Sequence, residues 1–349
     1  MKLVSTLTLK GGEKLARDII NSSGIILISA GTEIKKEYIN KLNEIGQNVV
    51  FIESDDDIQP DYETQQIIIN DCTQKVKEVF DKYFSSISSN LDEVCGIAEE
   101  IIDEIIRKPE VILNINSIRM HDENKYLHSI NVCTMSVIIA AKLKIDKSKI
   151  KDIAVGSLLH DIGYEYVNAL ISSNLSADIS LSIERKMKKH VIYGYSSVQN
   201  EKWIGDEGKN IILSHHEKID GSGYPFHLKD KNITIGAKIV CVCNEFDNLI
   251  YRKNFKVHNA IEYIVSEAGN KFDFEIVKIF NESIAAYPIG TIVITNNGEK
   301  GIVIRQNNKC PTRPVIRIVR ENDYQNNYIE KDLTKDLTLF ITDTVDKIR

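Results

Sequence analysis

From residue 115 to 285, apolar positions recur at helical spacing in one long segment after another, among them NVCTMSVIIAAKLKI, IKDIAVGSLLHDIG, GAKIVCVCNEFDNLI and NAIEYIVSEA. Segments of that length and period predict an all-α domain of five or more helices. The period changes on either side. Over residues 1–58, short apolar runs alternate with glycine turns (SSGIILISAGTEI, NVVFIE) around a helical KKEYINKLNEIG, which predicts a small α/β module. The acidic ESDDDIQPD that follows reads as a solvated linker. After AAYPIG, the runs TIVITNNGEKGIVIRQ and RPVIRIV are β-rich and joined by an Asn-Gly turn, so a small antiparallel β unit is expected. The expected fold is mainly α: a small N-terminal α/β module over 1–58, a linker helix region over 59–110, a helical domain over 111–285 and a β-rich unit over 286–349.

The linker region carries its own pattern. Phe80, Ile87, Val94 and Ile101 stand seven apart, with Phe84, Leu91, Ala98 and Ile105 interleaved four residues later. That stripe has two readings: the seam of a parallel homodimer, or a face packed on the chain's own core. Gly96 and the SSISSN stretch interrupt it with poor helix formers.

Charge narrows the partners. With 44 basic and 50 acidic residues the net charge is −6, and no local basic patch stands out, so neither DNA nor an anionic membrane surface is expected as a partner. The six cysteines are scattered, and the closest pair, Cys241 and Cys243, has a spacing poor for a disulfide or a zinc knuckle. They read as small core residues in a reducing cytoplasm. No run reaches the roughly 18 apolar residues that a bilayer span needs, and MKLVSTLTLKGG is too short and polar for a secretory core.

Five of the eight histidines fall between 128 and 216: His128, His160, His190 and the adjacent His215 and His216, with Asp161 directly after His160. Each stands at or near the end of an apolar helical run. Buried imidazoles and a carboxylate are costly unless something satisfies them, and a divalent cation satisfies several at once. Phosphoester hydrolysis by two ions about 3.5 to 4 Å apart needs one bridging carboxylate and neutral nitrogen ligands around each. In that scheme Asp161 bridges, His128 and His160 hold one ion, and His190, His215 and His216 hold the other. A hydroxide between the ions is the nucleophile, and the ions stabilise charge growing on the phosphoryl oxygens.

His160-Asp161-Ile162-Gly163, together with His215-His216-Glu217-x-x-Asp220-Gly221-x-Gly223-Tyr224-Pro225, resembles the signature of the HD-GYP family, a branch of the HD metal-dependent phosphohydrolases. The likeness extends to His190 with Gly194, to FDNL at 246–249 and to KFDFEIV at 271–277, covering about 115 to 285. It implies an all-helical HD core and hydrolysis of cyclic di-GMP to pGpG or GMP with two divalent ions, iron or manganese. It also implies substrate contacts from the loop of Gly221, Gly223, Tyr224 and Pro225, and from Arg252.

Three positions depart from the family pattern. Asn244 stands where the family offers an aspartate to the first metal; it remains a candidate metal ligand through its carbonyl oxygen but brings no charge, and Asp247, three residues on, is expected to support the fold rather than bind metal. Tyr164 stands where a lysine is expected to approach the scissile phosphate, and remains neutral near pH 7 while still able to donate a hydrogen bond. Asn124 replaces a glutamate found in trinuclear members, with Glu123 one position off, so at most two ions are expected. Two functional expectations follow: a working phosphodiesterase, or a catalytically impaired nucleotide receptor or signalling scaffold.

Overall fold

A helix that is apolar on every side must be enclosed by others, and in the computed structural model α4 (Lys125–Lys142) fills that role, with every residue from His128 to Ala140 buried. The structure describes residues 2–6, 9–20, 26–44, 49–53, 62–85, 91–107, 125–173, 180–253, 255–307, 310–318 and 329–345. Residues 54–61 of the expected linker over 53–61, together with Ile87, Glu123 and Asn124, lie outside them.

The chain divides into two compact units, residues 64–111 with 123–283, and residues 1–63 with 112–122 and 284–349. In the helical unit, α4 packs against α3 (Val94–Arg107), α5 (Lys147–Leu159), α10 (Ile235–Tyr251) and α12 (Phe274–Ser283), while α9 (Asp206–Ser214) lies against α5, α8 (His190–Val198) and α10. Shorter α6 (Gly163–Ser173), α7 (Ser180–Met187) and α11 (Val257–Ser266) complete it. Phe246, Phe272 and Phe280 are among its largest enclosed side chains.

Most of the described positions of the seven-residue stripe are covered within the chain. Phe80 on α2 (Tyr62–Phe84), Leu91, and Val94, Ala98, Ile101 and Ile105 on α3 are all buried, with α3 set against α4 and α5 of the same chain. Phe80 meets the Tyr126 ring edge-on at 5.8 Å and Phe84 meets Tyr166 at 5.6 Å. The stripe therefore faces the chain's own interior, and the region read as a linker contributes to the helical core.

In the other unit, β1 (Lys2–Ser5) pairs antiparallel with β4 (Val49–Ile52), and β2 (Ile19–Ile20) pairs with β3 (Ile26–Ile28). Beside α1 (Lys36–Glu44) these enclose Leu15, Ile19, Ile34, Leu42 and Val50. The C-terminal strands β5 (Ile292–Thr295), β6 (Lys300–Arg305), β7 (Val315–Ile318), β8 (Glu330–Asp332) and β9 (Ile341–Val345) form one antiparallel sheet in the order β8-β7-β6-β5-β9. The turn between β5 and β6 runs through Asn297 and Gly298, the latter at φ +79°, a conformation glycine adopts without Cβ strain. Phe51 of β4 packs against Ile292 and Ile302 of this sheet, so the first and last segments of the chain share one apolar cluster. Among the described residues no helix is long and apolar enough to cross a membrane.

Candidate metal centre

The helical unit brings four helix ends, carrying five histidines, to one point. His128 lies in the first turn of α4, His160 caps the C-terminus of α5, His190 opens α8, and His215 caps α9 with His216 beside it. Asp161 occupies the turn between α5 and α6 and is the hub. Its Oδ1 is 3.4 Å from His190 Nε2 and 3.5 Å from His215 Nε2. Its Oδ2 is 3.5 Å from His160 Nε2 and 3.7 Å from His128 Nε2.

The other ring nitrogens are committed. His160 Nδ1–H donates to the Ser157 carbonyl at 2.7 Å, His190 to Met187 at 2.8 Å and His215 to Ile211 at 3.1 Å. A carbonyl can only accept, so these rings carry the proton on Nδ1 and turn a bare Nε2 lone pair inward. At His128 the same role falls to Asp247, whose Oδ2 sits 2.5 Å from Nδ1. Asp247 is fully enclosed on α10 and also accepts from the Asn131 amide at 3.3 Å.

The result is a set of acceptors facing acceptors. His128 and His160 approach to 3.2 Å through their Nε2 atoms, and His190 and His215 to 3.3 Å. Burial pushes His160 down to about 3 and also lowers His215, with neighbouring imidazoles adding to the effect. His216 is driven well below its ordinary value by burial and then by His215 and His190. At His128 burial acts the same way, but the hydrogen bond and charge of Asp247 outweigh it and raise the pKa. Asp161 is held well below the carboxylate range: burial opposes this, and His160, His190 and His215 overcome it. An ionised carboxylate among lone pairs calls for positive charge. Two buried atoms with no hydrogen-bond partner, Asp161 Oδ1 and His216 Nε2, point to the same need.

The donor atoms fall into two groups that share Asp161: His128 and His160 on one side, His190, His215 and His216 on the other. A set of imidazole nitrogens around one carboxylate is able to hold divalent metal ions. Asn244 is buried on α10, and its Oδ1 accepts from the Asn248 amide at 2.7 Å.

The loop after His216 is tied down by Glu217, which is 1 % exposed and accepts from Phe226 N at 2.6 Å and Leu228 N at 2.9 Å. Gly221 turns the chain at φ +84°, and its N–H donates to Lys218 O at 2.8 Å. A Cβ on Gly223 would overlap the His216 carbonyl and the Glu217 Cα, so only glycine allows this approach. Tyr224 then stacks on the His216 ring, 4.5 Å between centroids and 18° between planes, and joins Pro225 through a cis peptide. Tyr164 stacks on His190 at 4.0 Å and 13°, and the Arg252 guanidinium lies 5.9 Å from the Tyr164 ring centre. Burial and the Asp161 charge push the Tyr164 hydroxyl up to about 12, with Arg252 opposing.

Sequence reasoning gave no role to Glu217 or Asn131. Glu217 lies inside the recognised signature, but its hydrogen-bond partners come nine and eleven residues later. Asn131 carries no local signal, being one of several buried polar positions on α4 along with Ser129, Thr134 and Ser136.

Residues 110–276 match the model for the HD domain, and residues 292–348 match that for the KOW domain associated with the HD domain. The cyclic di-GMP phosphodiesterase PA4108 of Pseudomonas aeruginosa is 26 % identical over 226 residues, 64 % of this chain and 54 % of that protein. The cyclic di-GMP phosphodiesterase PdeB of Borreliella burgdorferi is 25 % identical over 200 residues, 56 % of this chain and 52 % of that protein. The chain thus spans about half the length of these relatives. The solved structure of Bd1817, a HDG"Y"P protein from Bdellovibrio bacteriovorus, superimposes with a TM-score of 0.50 at 21 % identity, covering 80 % of this chain and 98 % of that one, a likeness of fold.

Proposed function

We propose, from the match of residues 110–276 to the HD domain model, that the chain is a metal-dependent phosphodiesterase that opens cyclic di-GMP to pGpG or GMP. The observation that carries the reading is Asp161, whose two oxygens face two separate groups of bare imidazole nitrogens. In it His128, His160 and Asp161 hold one divalent ion, and Asp161, His190, His215 and His216 hold a second, iron or manganese in each place. When bound, such ions supply Lewis acidity toward the phosphoryl oxygens and make a water nucleophilic near neutral pH.

The chain's own residues set the stage for that chemistry. The Nδ1–H bonds to Ser157, Met187 and Ile211 fix three ring orientations before any ligand arrives, so little reorganisation is needed. Arg252 offers a guanidinium fork to a phosphate, and the loop from Gly221 to Pro225 forms the neighbouring wall for the nucleotide. Tyr164 keeps its proton at neutral pH and is able to donate a hydrogen bond. All six cysteines are unpaired thiols, which supports work in a reducing compartment, the cytoplasm.

A second reading, a nucleotide receptor or scaffold with little turnover, is favoured by one observation: the Asn244 oxygen is engaged by Asn248 and adds no charge to the first ion's site. One experiment separates them. Protein loaded with Mn²⁺ or Fe²⁺ is incubated with cyclic di-GMP and the products are resolved by chromatography. The enzyme reading expects pGpG or GMP from the natural chain and loss of product in Asp161→Asn. Tight binding without product, with product appearing only in Asn244→Asp, establishes the receptor instead.

A further inference from the structure

Two Gly-Tyr dipeptides, 163–164 and 223–224, meet the centre in the same way. A Cβ on Gly163 would overlap the His190 carbonyl, just as one on Gly223 would overlap the His216 carbonyl. In each case the following tyrosine lies nearly parallel on the imidazole of that same histidine, at 4.0 Å and 13° for Tyr164 on His190 and at 4.5 Å and 18° for Tyr224 on His216. A cation lies over each tyrosine ring, the Arg252 guanidinium 5.9 Å from the centre of Tyr164 and Lys188 Nζ 5.6 Å from that of Tyr224. Both histidines belong to one donor group, with Asp161 and His215.

We propose that Tyr164 is a positioning residue for His190, and that Tyr164 and Tyr224 form a matched pair of ring clamps around the ion site of Asp161, His190, His215 and His216. The inference rests on the metal reading above and assigns to Tyr164 a role distinct from phosphate contact. His190 is anchored at Nδ1 by a single hydrogen bond to Met187, which sets the ring orientation but holds it by one weak contact against swinging about Cβ–Cγ. A parallel aromatic ring at van der Waals distance adds a second restraint, narrows the remaining swing and keeps Nε2 aimed at Asp161. His216 has more need of a clamp, since its Nε2 has no hydrogen-bond partner among the described residues. The glycine before each tyrosine permits the close backbone approach that brings ring over ring. What matters in this role is the face of Tyr164 rather than its hydroxyl.

The test uses the full chain with diamagnetic Zn²⁺ alone as the probe, titrated into histidine-labelled protein and followed by NMR of the imidazole rings. Tyr164→Leu is expected to weaken binding about 10- to 100-fold at the His190, His215 and His216 rings, leaving the His128 and His160 rings titrating as in the natural chain. Tyr164→Phe, which keeps the face and lacks the hydroxyl, is expected to titrate as the natural chain does. Tyr224→Leu supplies an independent variant with the same expected pattern at His216. Natural affinity in both leucine variants overturns the clamp, as does Tyr164→Phe losing as much as Tyr164→Leu. A metal-free readout stands beside this one: without ion, the His190 ring signal is expected sharp in the natural chain and Tyr164→Phe, and broadened or doubled in Tyr164→Leu. If the natural chain takes up no ion, the metal reading falls while the ring signals still decide the clamp; an unchanged His190 signal in Tyr164→Leu overturns it.

Discussion

Asp247 and His128 stand 119 positions apart in the sequence, on α10 and α4, and the carboxylate holds the imidazole at Nδ1 over 2.5 Å with both residues buried. Asp247→Ala releases the ring and strands the Asn131 amide in the interior. The ion of His128 and His160 is expected to bind about 10- to 100-fold more weakly, while the other ion is held as before. Calorimetric Mn²⁺ titration reads both; an equal loss at the two sites would contradict the assignment of Asp247 to His128.

Cation binding should also register as stability. The inward lone pairs and the Asp161 charge repel one another in the absence of positive charge. At a free Mn²⁺ concentration 100-fold above the dissociation constant, each ion bound stabilises the folded state by about 2.7 kcal/mol, or roughly 5 to 10 °C in Tm. Differential scanning calorimetry with Mn²⁺ and with EDTA measures the gap. His215→Ala is expected to shrink it, and a gap untouched by that substitution would place the ion elsewhere.

Glu217 serves the loop rather than the ions. Replacing it with alanine leaves the N–H groups of Phe226 and Leu228 without their acceptor, at a cost of about 2 to 4 kcal/mol for the pair. Glu217→Gln keeps one acceptor oxygen and is expected to lose about half as much. Urea denaturation at fixed metal concentration gives both numbers, and identical midpoints for the natural chain and Glu217→Ala would remove Glu217 from the account of the loop.

Buried thiols set an alkaline limit. Burial pushes Cys241 and Cys243 from an ordinary 9.0 up to about 12, and Cys72 to about 11. Their folded pKa values lie above the unfolded one, so the folded chain keeps these protons longer. The associated stability is fully present below pH 9 and declines as pH rises through 11 to 12. Urea midpoints are expected to fall between pH 8 and 10.5, and to fall less when the three are replaced by alanine. A thiol reagent at pH 8 should reach these three cysteines only after denaturation.

The five histidines and Asp161 could be read in advance because each closes or opens an apolar helical run, and the helix period already turns such positions inward. Their partners could not. Asp247 bonds a ring more than a hundred residues away, and no local pattern encodes which of two aspartate-like positions on α10, Asn244 or Asp247, faces α4. Tyr164 looked like a lost lysine because the motif supplies only the position; the stack on His190 depends on where α8 starts relative to α6. The stripe from Phe80 to Ile105 failed to choose between a dimer and the chain's own core for a simpler reason: seven-residue spacing describes a face and is silent about what covers it.

Phe51, near the start of the chain, packs against Ile292 and Ile302, near its end. Each terminal segment is thus part of the other's upholstery. Trimming the final sheet from an expression fragment would bare an aromatic face on β4, and trimming the opening strands would uncover two isoleucines, so either cut invites aggregation at the end that was kept.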